Sequence, residues 1–401
     1  MTDINTETTL YLTEERLMMR DLAREFTLNE VLPIANQLDP IKGDIPRSLI
    51  DKMGELGFFG IMIPAELGGL GLGAFEYCLV AEELARGWMS VSSIIARGNG
   101  LYKSIPGDEE ERAEKTKLMA AGQYLGAAAL SEPSTGSDLS GVNCRARRDG
   151  DDWVITGNKY WCTFADGADF INVLCRLDGA EVSEGGRTPT VTIAVEKPRG
   201  VLPDGVTGSP IPKIGYFGWK TWELHFDAVR VPYRPPVSDA ETGRGFQATA
   251  ELLGVARAHT AARSIGLARG ALEDAVAYAR ERVQFGQPIS DFQAIRFKIA
   301  TMATEIEAAR QLMYYVCSQI DAGRDARTEI SMVKLFAAEM SERVTSEALQ
   351  ILGGAGYTTH FAVERYWRDA RLTKIFEGTS EIQQRIVADI LLGKPTRRGS
   401  N

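Results

Sequence analysis

Between Tyr124 and Val237 apolar and polar positions alternate. In "DDWVITG" Trp153 and Ile155 stand two apart among polar neighbours, "TVTIAVE" sets Val191, Ile193 and Val195 on one face, and "TWELHF" does the same with Trp222, Leu224 and Phe226. A period of two predicts half-buried strands, because successive side chains of an extended chain leave on opposite faces. Turn-forming pieces such as "PRGVLPDGVTGSPIP" punctuate the region. On either side the period is near 3.6. "TEERLMMRDLAREFTLNEVLP" carries Leu17, Asp21, Leu22 and Phe26 on one partly apolar face, and Ile265, Ala268, Leu272, Val276, Ala279 and Val283 make the apolar stripe of a bundle helix. The expected architecture is therefore α+β in three parts: a helical domain over 1–123, a β domain over 124–241 and a helical domain over 242–401. No internal repeat interrupts this order.

Composition narrows the partners. Of 401 residues, 44% are apolar and 25% charged, ordinary for a globular protein. A net charge of −9, from 45 basic and 54 acidic residues, argues against nucleic acid as a main partner, since no basic excess would neutralise phosphates. The five cysteines (Cys78, Cys144, Cys162, Cys175, Cys317) are scattered without Cys-x-x-Cys spacing, and His225, His259 and His360 are isolated, so neither a metal site nor a disulfide framework is expected. The start, "MTDINTETTLYLTEE", lacks the basic and apolar regions of a signal peptide, and no apolar run is long enough for a bilayer span. The expectation is a cytoplasmic protein with no membrane segment.

Several stretches carry chemistry. "GGLGLGAF" does not match G-x-G-x-x-G and lacks a surrounding βαβ unit, so it reads as a loop between helices. "AALSEPSTGSDLSG" offers small residues for close backbone approach and the hydroxyls of Ser131 and Ser137; a turn-rich strand exit explains it equally. In "NKYWCTF" Trp161 and Thr163 share a strand face suited to a planar heterocycle or to a core, and Cys162 points the other way. Arg282 either binds a pyrophosphate or complements a helix end, and Gln293 adds amide donors and acceptors. The glycines of "QILGGAGY" form a helix C-cap or let a ligand lie on bare backbone. In "RDARLTKIFEGTSEIQ", Ser380-x-x-Gln383 fits a capping box, and Glu377 stands just before it between Phe376 and Gly378.

"SEPSTGSD", "KYWCT", "RVQFGQPISDFQ", "QILGGAGY" and "IFEGTSEIQ" occur in this order over nearly the whole chain, which thereby resembles the acyl-CoA dehydrogenase family of flavoenzymes. The resemblance implies an N-terminal helical domain, a central β-barrel or sandwich domain and a C-terminal four-helix bundle, assembled as a homotetramer (a dimer of dimers). It implies FAD, with Leu130, Ser131, Trp161 and Thr163 facing the flavin. Arg282, Phe285, Gln293 and the Gln350–Gly354 backbone, with Gly353 and Gly354, would hold the adenine dinucleotide, partly across a subunit interface. Thr379 and Glu381 would close the FAD site at a helix start whose positive end favours phosphates. Ser137 and Arg257 would bind the CoA ester.

The same resemblance makes Glu377 the base that removes the α-proton of a thioester while the flavin takes the β-hydride. The backbone amide of Gly378 would stabilise the developing enolate, and apolar neighbours such as Phe376 would raise the carboxylate's basicity. The alternative base position in the family corresponds to Ala256, which has no acid. Electrons would pass to an electron-transferring flavoprotein. Alternatives on the same fold are an acyl-CoA oxidase or a flavin monooxygenase, and, from another class, a non-dehydrogenating nucleic-acid-binding relative.

Two departures bear on the substrate. "AARSIG" places Arg263 where many relatives have a small residue; it reads as a solvated or interface arginine or as a ligand contact. In "ELARGWMSVSSIIARGNGL", Ser92, Ser93 and Ala96 match acyl-pocket positions and Arg97 follows. Small residues beside a cation suit a short, branched or dicarboxylic acyl group, and this stretch with "IGYFGWKTWELHF" resembles the methylsuccinyl-CoA dehydrogenase branch.

Overall fold

A computed structural model of the chain describes residues 11–180, 189–234 and 245–395, with backbone alone at 245–253. The expected boundary between 241 and 242 lies outside the described residues. The chain has N-terminal helices, a middle β domain and C-terminal helices, the expected helical, β, helical order. By internal contacts it divides into two compact units.

One unit comprises the described residues up to Ile41, Gly73–Ser93 and the chain from Gly254 on. Its long helices are Glu14–Phe26, Ala74–Gly87, Gly245–Glu281 (from Gly254), Gln293–Asp321, Arg327–Leu352, Val363–Thr373 and Ser380–Leu392. Ile265, Ala268, Leu272 and Ala279 are buried as the stripe predicts. Val283 is 53% exposed, because the helix stops at Glu281 and Val283 opens a two-stranded hairpin, Val283–Gln284 with Gln287–Pro288. The N-terminal helix buries Ala23 and Phe26, whereas Leu22 faces outward. "GGLGLGAF" is a loop leading into Ala74–Gly87, and its helix N-terminus is already occupied by an anion from the chain itself: the Asp321 carboxylate accepts from Ala74 N at 2.6 Å and Phe75 N at 3.0 Å.

Charges lock this unit internally. Glu82 and Glu83 are 3% and 1% exposed, and they pair with Arg24, Arg269 and Arg310 from three other helices. Buried carboxylates persist only when paired in this way.

The other unit holds Lys42–Leu72 and Ile94–Leu253. Its sheet has seven strands: β1 Gly126–Ala129, β2 Arg145–Asp149, β3 Asp152–Thr163, β4 Phe170–Leu177, β5 Thr190–Glu196, β6 Val206–Pro210 and β7 Thr221–Pro232. They lie in the order β1-β4-β2-β3-β7-β6, with β5 also on β4. β1 and β2 run parallel to β4; the other pairs are antiparallel. Val191, Ile193, Val195, Leu224 and Phe226 are buried in its core, as alternation predicts. At the start of β3, however, Val154 is buried as well as Trp153 and Ile155, so that strand is covered on both faces.

Among the described residues no helix is long and apolar enough to cross a membrane, and no group of His, Cys, Asp and Glu is arranged to hold a metal ion.

Candidate functional site

The stretch after Thr373 leaves one helix and enters the next through a closed turn, with Ser380 N donating to Lys374 O at 3.0 Å. Within it Glu377 has φ 54° and Gly378 φ 92°. Two successive left-handed residues are natural for glycine and strained for glutamate. Three anchors hold them. Lys334 Nζ donates to Gly378 O at 2.6 Å, and Gln383 Nε2 donates to the same oxygen at 3.0 Å. Thr379, rather than Ser380, caps the following helix by accepting from Ile382 N at 3.3 Å. Ser380 does not make the expected capping box; its hydroxyl donates to Glu339 at 2.7 Å.

The surroundings of Glu377 are polar and cationic, which corrects the expectation of an apolar niche. Its side chain is 28% exposed and its two carboxylate oxygens accept from Arg263 Nη2, each at 2.8 Å. Thr260 Oγ1 also bonds Glu377, accepts from Arg263 Nη2 at 2.9 Å and lies 3.0 Å from Ala256 O. Its single hydroxyl proton serves one acceptor at a time. Phe376, the supposed apolar neighbour, instead presents its ring to the Arg263 guanidinium at 4.7 Å. Arg263 itself is 1% exposed, neither solvated nor at a surface, and donates further to Ser93 Oγ at 2.8 Å.

Two more cations act on this carboxylate. Burial pushes the Arg257 guanidinium below its ordinary pKa, opposed by the charge of Glu377. Its Nε is buried without a hydrogen-bond partner among the described residues, the kind of orphan that a ligand satisfies. Burial likewise brings Lys334 down to about 8, again opposed by Glu377. Thr260 and Lys334 escaped the reading of the sequence. Thr260 stands three residues before Arg263 on one helix face, and Lys334 interrupts the apolar run "MVKLF"; both spacings were signals.

In the other unit Leu130 and Ser131 are half-buried and tied to β3. Lys159 Nζ donates to Leu130 O at 3.0 Å and to the Glu132 carboxylate at 2.9 Å, and Tyr160 N donates to Ser131 O at 2.8 Å. Trp161 is 55% exposed with φ 65°, at an interruption of the β3–β7 register between Lys159 and Cys162. The simple alternation that paired it with Thr163 therefore breaks at a bulge. Cys162 is fully buried, as expected, and Thr163 Oγ1 lies 3.1 Å from Thr221 Oγ1. Ser137 is exposed. Arg97 belongs to the short helix Ala96–Asn99 of this unit, with its guanidinium 5.3 Å from the Trp219 ring.

Of the predicted acyl-pocket residues, Ser92 and Ser93 are buried in the first unit and Ala96 is half-buried in the other, whereas the residues expected at the adenine dinucleotide are exposed in the first unit. Phe285 is 94% exposed at the hairpin tip with φ 51°, next to Gly286 at φ 81°. Arg282 and Gln293 flank that hairpin, and Gln350 is exposed near Gly353 and Gly354, around whose α-carbons a side chain would meet nothing within 4 Å. Exposed aromatic rings, bare backbone and amide groups are, by their chemistry, the kinds of groups that suit a planar ring system with a polar, phosphate-bearing tail. Glu381 adds a negative charge at the start of its helix, which offsets that end's pull on a phosphate.

Three family models match successive parts of the chain: Acyl-CoA dehydrogenase, N-terminal domain over 13–123, middle domain over 127–229 and C-terminal domain over 243–392. The chain is 37% identical over 388 residues to (2S)-methylsuccinyl-CoA dehydrogenase of Cereibacter sphaeroides, covering 95% of this chain and 70% of that one. It is 36% identical over 386 residues to 3-(aryl)acrylate reductase of Clostridium sporogenes, covering 96% and 100%. A chain in the solved structure of the electron transferring flavoprotein of Acidaminococcus fermentans superposes with a TM-score of 0.88 at 34% identity, covering 96% of this chain and 100% of that one.

Proposed function

Because the chain belongs to the acyl-CoA dehydrogenase family, we propose that it dehydrogenates an acyl-CoA thioester across its α,β bond to the trans-2-enoyl-CoA, with Glu377 as the base. The observation that carries this reading is the pinned turn, which holds a partly exposed carboxylate in a strained conformation beside three cations. An α-proton of a thioester is very weakly acidic, so a base must be fixed within reach of it and the enolate oxygen must meet a donor. The Gly378 N–H is that donor in this reading, and the surrounding cations favour the negative charge as it develops. Arg257 and Ser137 bind the CoA ester, and the orphaned Arg257 Nε supports the assignment.

FAD, when bound, supplies the acceptor for the β-hydrogen as hydride. Leu130, Ser131, Trp161 and Thr163 would hold its ring system. Arg282, Phe285, Gln293, Gln350, Gly353 and Gly354 would hold its adenine dinucleotide part, and Thr379 and Glu381 its edge. An electron-transferring flavoprotein as acceptor is supported by the likeness to the Acidaminococcus fermentans chain. Assembly as a homotetramer rests on the family resemblance. The name of the Clostridium sporogenes relative favours a second reading, the same chemistry run as reduction of the double bond.

The test of the base is solvent exchange. In D2O the enzyme is expected to exchange the α-proton of a bound thioester that cannot be oxidised further, and Glu377→Gln is expected to slow this at least about a hundredfold. Undiminished exchange in Glu377→Gln would remove the base assignment.

A further inference from the structure

Arg263 is buried, yet it grips both oxygens of a carboxylate that must accept a proton from carbon. Arg257 and Lys334 bring two more positive charges to the same group. Glu339, the other carboxylate acting on Lys334, is already engaged by Lys374 at 2.8 Å and Ser380 at 2.7 Å. Among the described residues, the cations around Glu377 therefore outnumber the anions. A base held in this way must loosen its ion pair before it works, and in a poorly solvated setting that is costly. A second anion delivered by the substrate removes the difficulty, because the guanidinium exchanges one carboxylate for another.

We propose that Arg263 is the specificity-determining residue of this chain, releasing Glu377 in exchange for a carboxylate on the acyl group, so that the substrates are dicarboxylic acyl-CoA thioesters of the succinyl or glutaryl type. The proposal rests on the reading of Glu377 as base. Reach sets the acyl length. A reacting α-carbon lies about 3–3.5 Å from its base, and Arg263 Nη2 is 2.8 Å from that base's oxygens. The acyl carboxylate must then lie within about two carbons of the α-carbon to meet the guanidinium at hydrogen-bond distance. The step balances. The α C–H bond breaks and its proton passes to Glu377, the electron pair of that bond forms the double bond, and the β-hydrogen would leave with its own pair to the hydride acceptor that FAD would supply. As Glu377 becomes neutral, the substrate carboxylate keeps a negative charge against Arg263. The cation that recognises the acyl group is thus Arg263 on the bundle helix, with Arg97 engaged by the Trp219 ring.

The test compares methylsuccinyl-CoA with its neutral carboxamide analogue on the FAD-loaded enzyme. The acid is expected to have a kcat/KM about a hundredfold or more above the amide. Arg263→Gly is expected to collapse that ratio to within about tenfold, and Arg263→Lys, which keeps the charge, to retain its sign. Equal kcat/KM for acid and amide in the unaltered enzyme overturns the proposal, as does an unchanged ratio in Arg263→Gly. Should Arg263→Gly fail to fold, the acid-to-amide ratio of the unaltered enzyme and of Arg263→Lys decides. The α-proton exchange assay separates the two readings. If exchange persists in Glu377→Gln the base assignment fails, whereas exchange that is lost there, with acid and amide used equally, condemns only the role of Arg263.

Discussion

Glu377 and Gly378 show how much one turn demands of its residues. A Cβ added to Gly378 would sit 2.5 Å from Gln383 Nε2, on a backbone at φ 92°. Gly378→Ala should therefore strain the turn by about 1–3 kcal/mol, lowering kcat at least tenfold with FAD content unchanged; flavin absorbance and steady-state rates measure both. At this scale the motif itself was legible, because a carboxylate beside a glycine just before a helix start is a local feature. The ion pair was not. Arg263 and Glu377 are 114 residues apart, and their meeting depends on how a bundle helix is rotated, which no local pattern reports. For the same reason Phe376 promised an apolar niche while the folded chain set its ring against a guanidinium.

Elements were legible where periodicity ran long and uninterrupted. The Gly245–Glu281 helix and strands β5 and β7 match their patterns, because burial on one face dictates them. Mismatches arose where a local backbone preference cut the period short. The helix ends at Glu281, two residues before the spacing of its apolar stripe does, because a hairpin closed by the Phe285–Gly286 turn takes up Val283, and a bulge turns Trp161 out of strict alternation. The ties between helices belong to this scale as well. Burial by itself would raise the Glu83 carboxyl, but Arg269 and Arg24 overcome it and bring it down to about 2, below the ordinary 4.5. A depressed carboxylate contributes stability that is fully present above the unfolded value and is lost as pH falls toward the folded one. Glu83→Gln should accordingly cost about 3 kcal/mol near neutrality, and the difference from the unaltered protein should shrink as pH falls from about 4.5 toward 2. Urea unfolding across that range measures it. A difference that stays constant with pH would mean the pair is not the source.

For the whole molecule, the order helical, β, helical could be read from two changes of period, and the family from five short motifs in register. The grouping into compact units could not. The Ala74–Gly87 helix belongs with chain segments some two hundred residues later because Glu82 and Glu83 meet Arg269 and Arg310 there, a long-range pairing invisible to periodicity. Function follows the same division of information. Reaction class came with the motifs, whereas the charge placed beside the proposed base emerged only from the packed chain. The most direct test of the account is an anaerobic titration of the FAD-loaded protein with butyryl-, isobutyryl-, glutaryl- and methylsuccinyl-CoA, following bleaching of the flavin band. The account predicts stoichiometric bleaching by a dicarboxylic ester and none in Glu377→Gln. A flavin-loaded protein that no ester bleaches, or one still bleached in Glu377→Gln, would contradict it.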